Sequence, residues 1–235
     1  DWANPQANDF AIAEEVTVKG EHKKRPDLVL YVNGIALGVI ELKRSSVHVE
    51  EGIRQNLDNQ KEDFIQPFFS TIQIVMAGND SQGLRYWTIE GTQKDYLTWK
   101  EDGSGANTLD KDLSLLGNKA RFLELIHDFI VFDGGVKKIC RHNQYFAVKS
   151  AQTRMRERQG GIIWNTQGSG KSLIMVWLAR WIRENIRDSR ILIITDRTGT
   201  EAQTVEFSSE NLSIGRGDKC RLVLDDPEIS RQHAV

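Results

Sequence analysis

The hydrophobic and polar positions divide the chain into segments of different period. From Arg25 to Lys43 the run RPDLVLYVNGIALGVIELK holds two apolar, β-branched stretches on either side of Asn33-Gly34. Asn-Gly between such stretches is the strongest short-range hairpin signal, because both turn residues must take positive φ. The segment 49–64, VEEGIRQNLDNQKEDF, then sets Ile53, Leu57 and Phe64 near helical spacing behind two glutamates, which predicts an amphipathic helix. TIQIVMA, residues 71–77, alternates and predicts a strand. Hairpin, helix and strand in that order predict a compact mixed α/β unit that ends near Tyr96 to Trp99, before the polar loop EDGSGANT at 101–108.

The second half has a different rhythm. Leu113, Leu116, Phe122, Leu123, Leu125, Ile126, Phe129 and Ile130 predict connecting helices over 111–133, broken at Gly134-Gly135. A basic, Gln-rich helix is expected over 143–158. It is followed by a short strand at 160–164 (GGIIW), a glycine-bearing loop, an apolar helix and a buried strand at 191–195. Strand, loop, helix, strand is a βαβ unit of a parallel sheet. From Val205 the short alternating runs between Ser, Asn, Gly and Asp have the texture of a β-sandwich, so a boundary is placed near Thr200. No internal repeat is present. The expected division is 1–100, a mixed α/β unit; 101–140, a helical connector; 141–200, a partial parallel-sheet lobe; and 201–235, a short β segment.

Composition narrows the classes. With 235 residues, 39% hydrophobic and 27% charged, the chain is neither disordered nor of low complexity. Its net charge of −2 hides an uneven distribution, because 12 basic residues face 3 acidic ones between Lys137 and Arg190, a stretch suited to polyanions. Two distant cysteines, Cys140 and Cys220, make no disulfide framework, and the longest apolar run is too short for a bilayer. A cytoplasmic protein without a membrane partner is expected. A first residue of Asp1 suggests a chain that starts within a longer gene.

Candidate chemistry concentrates in two places. Asp27, Glu41 and Lys43 form a Pro-Asp, a gap of roughly one hairpin, and Glu-x-Lys; two carboxylates can hold a divalent metal while the lysine orients water and steadies developing charge. With a strict two-residue turn, Asp27 would pair with Ile40 and face away from Glu41. A bulge or an odd loop is therefore predicted within the hairpin. Further on, TQGSGKS at 166–172 suits a phosphate loop. Thr166, Gly168, Ser169 and Gly170 would cradle phosphate oxygens, Lys171 would reach the terminal phosphates, and Ser172 would ligate magnesium.

NDF, RPDLVLYVNG, VIELKRS and EGIRQN together resemble the nuclease domain of the motor (R) subunit of type I restriction enzymes, over about the first hundred residues. The resemblance implies a PD-(D/E)xK fold and Mg2+-dependent endonucleolytic cleavage of double-stranded DNA. In this reading Asp27 and Glu41 are metal ligands and Lys43 is the catalytic lysine. It also implies a Gln-x-x-x-Tyr pattern on the following helix; Gln55 matches, and Asn59 stands in place of the tyrosine. The phosphate loop ends in the GxGK(S/T) of superfamily 2 helicases, and RHNQY with Ala147-Val148 is similar to the segment with which such motors recognise adenine through a glutamine, here Gln144. ATP is the implied second cofactor, in a RecA-like lobe whose next motif resembles ILIITDR at 191–197, with Arg197 a DNA-phosphate contact. No Asp-Glu-x-x box follows, so efficient hydrolysis is not expected of this chain. Specificity and methylation subunits, which choose the DNA site, are the implied partners. The tail, 212–235, resembles the opening strands of a forkhead-associated domain. That likeness implies phosphothreonine-peptide contacts from Arg216, Ser230 and Arg231, with His233 steadying their loop. A nuclease fused to another superfamily 2 helicase, a phosphopeptide module and an inactive scaffold remain open at this point.

Overall fold

The computed structural model describes residues 1–193 and, beyond them, the backbone of three two- or three-residue strands. The chain forms two compact units. One is Asp1–Ile130 with Ile139–His142, and the other is Val131–Lys138 with Asn143–Val235.

The first unit is built on a six-stranded sheet in sequential order: β1 (Phe10–Glu14), β2 (Leu28–Val32), β3 (Ile35–Leu42), β4 (Ile74–Asn79), β5 (Gly83–Trp87) and β6 (Leu97–Thr98). Every pairing is antiparallel except β3 with β4, which is parallel. A parallel pair needs a crossover, and α1 (Val49–Asn59) supplies it. Alternation along the strands sends Val39, Glu41, Val75 and Ala77 towards α1 and Ile40 and Met76 to the opposite face, where α2 (Thr108–Leu116) and α3 (Lys119–Asp128) lie. With both faces covered, every residue of β4 is buried. A cavity of about 290 Å3 remains on the second face, lined among others by Leu30, Ile40, Met76, Leu113, Leu116 and Phe122.

Asn33 (φ 52°) and Gly34 (φ 78°) both take the left-handed conformation, which closes β2 and β3 with a two-residue turn. Tyr31 pairs with Ala36 but Leu30 pairs with Gly38, so Leu37 is an extra residue on β3. This is the predicted bulge. It brings Leu28 opposite Ile40, one position away from a strict hairpin.

Helix α1 starts without a side-chain cap from His48; instead the Gln82 side chain accepts from the Val49 N–H at 2.8 Å, and Asn79 holds Gln82 Oε1 at 3.1 Å. The helix ends at Asn59 rather than Phe64. The chain reverses there, with Ile65 N–H donating to the Asn59 carbonyl, and Phe64 packs beside His22 and Lys24 instead of continuing the helical face. The strand expected at 71–77 begins three residues later, at Ile74.

In the second unit, α4 (His142–Arg156) and α5 (Lys171–Asn185) form as the spacing predicts, with Arg156 over the Trp181 ring. Two expectations are corrected. The helical reading of 111–133 overruns, because Ile130–Asp133 and Val136–Ile139 are strands β7 and β8 flanking Gly134 and Gly135, both at positive φ. Residues 160–164 and 191–193 are not strands. Ile162 is 90% and Trp164 91% exposed, so neither takes the interior position that a buried strand would give it. The three tail strands, β9 (Ser213–Gly215), β10 (Leu222–Val223) and β11 (His233–Ala234), join β7 and β8 in a sheet of order β10-β9-β11-β7-β8.

Gly52 lets α1 approach the sheet: a Cβ there would stand 3.1 Å from Ala77 Cβ and 3.5 Å from the Glu41 carbonyl oxygen. Gly52→Val is expected to lift α1 off β4 and to destabilise the protein by about 1–3 kcal/mol, read as a lowered denaturant midpoint.

Candidate active site

The bulge sets the geometry of the hairpin carboxylates. Continuing the register from Leu28 and Ile40 places Asp27 across from Glu41, and Asp27 Oδ2 accepts the Leu42 N–H at 2.6 Å. Glu41 is fully buried, yet each of its oxygens is held. Gln55 Nε2 donates to Oε2 at 2.6 Å, and Asn59 Nδ2 donates to Oε1 at 3.3 Å. Lys43, two residues along the same strand face, places Nζ 2.6 Å from Gln55 Oε1 and 4.0 Å from Glu41 Oε2. Asp27, Glu41, Lys43 and Gln55 therefore form one connected cluster, closed by α1 above β3.

Burial pushes the Glu41 carboxyl up to about 8, and the facing charge and hydrogen bond of Asp27 push the same way, against Lys43 and Gln55. A buried acid that keeps its proton towards pH 8 beside a second carboxylate is a site short of positive charge. A divalent cation between the two would replace that proton. Among the described residues no three His, Cys, Asp or Glu side chains gather, and a pair of carboxylates completed by water is the oxygen-rich set that Mg2+ accepts. The residues fit the metal.

Two further groups belong to this cluster and were not assigned from sequence. Asn59 is 1% exposed at the last turn of α1. Tyr96 is buried with no hydrogen-bond partner for its hydroxyl, and burial together with the nearby Glu41 charge pushes its phenol well above the ordinary value. For Asn59 a signal existed: it lies four residues beyond Gln55, on the same helical face. For Tyr96 there was none.

The phosphate loop is described by itself in the second unit. Gly168 (φ 72°) and Gly170 (φ 80°) take left-handed backbone, and Gly170 precedes α5 without a side chain to cap it. Thr166, Gly168 and Lys171 are exposed, Ser172 is half-buried, and Ser169 is buried with no partner for Oγ. An uncapped helix start and an unsatisfied hydroxyl suit a phosphate group. Gln144, 2% exposed, donates Nε2 to the carbonyls of Ser169 (3.0 Å) and Gly170 (3.2 Å), so α4 brings it against the loop backbone. Arg197, Arg216, Ser230, Arg231 and the His233 side chain lie outside the described residues.

The first unit is thus a mixed-sheet α/β body in which two carboxylates, a lysine and two side-chain amides converge at one end of β3. Residues 1–94 match the family described as type I restriction enzyme R protein N terminus. Residues 143–219 match a SWI2/SNF2 ATPase model, and residues 212–235 match an FHA domain model. The chain is similar to a putative type I restriction enzyme MjaVIIP endonuclease subunit of Methanocaldococcus jannaschii, 29% identical over 233 residues, covering 88% of this chain and 21% of that protein. It is also similar to the type I restriction enzyme HindI endonuclease subunit of Haemophilus influenzae, at 25% identity with 88% and 22% covered. The SsaAORF53P endonuclease subunit of Staphylococcus saprophyticus is 24% identical, with 90% and 23% covered. The chain spans about a fifth of the length of these relatives. The resemblance carried by RPDLVLYVNG and VIELKRS agrees with these matches: over residues 1–94 the chain is similar to the N terminus of the type I restriction enzyme R protein, and over most of its length to endonuclease subunits of such enzymes. Among the described residues no helix is long and apolar enough to cross a membrane.

Because the folded protein holds a proton on Glu41 up to about pH 8 while the unfolded chain releases it near 4.5, this group's stabilisation is present below pH 4.5 and is lost as pH rises through 8. In EDTA, Glu41→Gln is expected to flatten that fall, gaining stability relative to the parent between pH 5.5 and 8.5 by on the order of a few kcal/mol. Thermal melts at the two pH values check it.

Proposed function

We propose that residues 1–100 are a PD-(D/E)xK endonuclease domain that cuts double-stranded DNA with Mg2+ as part of a type I restriction complex. The observation that supports this most is the Leu37 bulge, which brings Asp27 opposite Glu41 and sets Lys43 beside them through Gln55. A solvated hairpin has no use for such a register.

In this reading Asp27 and Glu41 hold the cation, which when bound polarises the scissile phosphodiester and lowers the pKa of its water. Gln55 orients both Glu41 and Lys43, bonding one with its amide nitrogen and the other with its oxygen. Lys43 keeps its ammonium at the edge of the site, where it positions the attacking water and neutralises charge building on the phosphate. Specificity and methylation subunits choose the DNA site in such complexes, so this chain is assigned the cutting chemistry and not sequence recognition.

Residues 141–200 are proposed as the start of a RecA-like, superfamily 2 translocase lobe that binds ATP, supported by the ATPase model match over 143–219 and by the uncapped α5 start behind Gly170. Thr166, Gly168, Ser169 and Gly170 would surround the phosphates, Lys171 and Ser172 would meet the terminal phosphates and their Mg2+, and Gln144 would read adenine. The phosphothreonine reading of the tail has the FHA model match over 212–235 as its sole support.

Calorimetric titration of Mn2+ into the 235-residue chain is expected to show one site that Asp27→Asn or Glu41→Gln removes and Lys43→Ala retains. Folded parent protein that takes up no metal would sink the nuclease reading. For the second unit, Lys171→Ala is expected to weaken binding of a fluorescent ATP analogue at least tenfold, losing a charge-assisted phosphate contact of about 1.5–3 kcal/mol. An unchanged titration removes the ATP assignment.

A further inference from the structure

We infer that Asn59 is a positioning residue for the acidic pair: with Gln55 it forms a two-amide clamp that fixes the Glu41 carboxyl in the orientation a divalent cation requires. The inference rests on the metal-site reading above and adds a residue that the Gln-x-x-x-Tyr resemblance does not supply.

Four observations carry it. Gln55 and Asn59 lie one helical turn apart, so their side chains project from the same face of α1. Each donates to a different oxygen of one carboxyl group, Gln55 to Oε2 and Asn59 to Oε1, which prevents that group from rotating about its own axis. Asn59 is 1% exposed, so position 59 faces inward to Glu41 and does not reach a DNA strand passing over the site. Finally, Asn59 Oδ1 is buried with no partner. Asn56 Oδ1 on the same helix is likewise buried without a partner, so what distinguishes Asn59 is the group it donates to. Its donor end is the part in use, and that end points at Glu41.

The neighbouring Asn56 separates this role from the seating of the helix. Asn56 Nδ2 donates to the Met76 carbonyl at 2.8 Å and ties α1 to β4 directly. The helix therefore stays in place when position 59 is changed. Groups that orient metal-bound carboxylates typically contribute 10–100-fold in metal affinity.

Asn59→Leu removes the amide while keeping the same branched heavy-atom skeleton, its methyl groups only somewhat bulkier, and abolishes the unsatisfied carbonyl. In EDTA its melting midpoint is expected to equal or exceed that of the parent, while its Mn2+ affinity falls about 10–100-fold by calorimetry. Asn59→Ala, which leaves a small cavity, is expected to lose metal affinity to the same extent with a modestly lower midpoint. The two readouts moving apart is the signature of positioning. Mn2+ binding within twofold of the parent in either folded variant overturns the inference and leaves the metal site standing. Unfolding of both variants makes Asn59 a packing residue and also overturns it. Absence of Mn2+ binding by the parent protein overturns the nuclease reading, and this inference with it.

Discussion

A fully buried carboxyl group on a central strand is the constraint to which the first unit is fitted. Desolvating Glu41 is costly unless donors and positive charge reach it; Lys43, just beyond β3, brings the charge, Gln55 and Asn59 on α1 bring the donors, and Asp27, just before β2, faces it with a second carboxylate. This explains features that stability alone does not require. The hairpin carries an extra residue, Gly52 brings α1 within reach of the Glu41 backbone, and Asn59 keeps an unsatisfied carbonyl in the interior. The local structure is arranged around a group that, without a cation, destabilises the fold above its raised pKa.

Much of this was legible in the sequence, and for identifiable reasons. Asn33-Gly34 announces the turn because few residues tolerate positive φ twice in succession. The bulge followed from parity, since two carboxylates fourteen residues apart, an even separation, share a face across a two-residue turn only if one strand carries an extra position. Asn59 carried only its helical spacing from Gln55 as a signal, since its partner lies on another element, eighteen residues away, and the pattern at that position asked for a tyrosine. Tyr96 enters from the far edge of the sheet with no local mark at all. The overrun of helix into β7 has a different cause. Leu125, Ile126, Phe129 and Ile130 keep helical spacing to the end, and the Gly134-Gly135 turn that pairs β7 with β8 acts on residues that the periodicity had already claimed.

The second unit shows where local pattern stops being sufficient. GGIIW has the composition of a buried parallel strand, but composition only describes the environment a segment suits. A parallel strand is completed by neighbours on both edges and by helices on both faces, and Ile162 and Trp164 stay exposed without them. The helices α4 and α5, whose hydrogen bonds are internal, form on the same evidence that fails for the strands. Gln144 against the Ser169 and Gly170 carbonyls shows that the loop region nevertheless has a defined internal contact.

The borrowed cap of α1 has a consequence for how the site comes into being. The first turn of this helix is satisfied by Gln82, thirty-three positions away, and steadied by Asn79, both at the β4–β5 turn, rather than by a side chain of its own leading segment. Formation of α1 and closure of that turn are therefore coupled events: when the turn opens, the helix start loses its acceptor, and the amides of Gln55 and Asn59 lose the frame that aims them. Protection of the α1 amides from hydrogen exchange is consequently tied to the integrity of a turn that lies outside the Asp27–Glu41 pair.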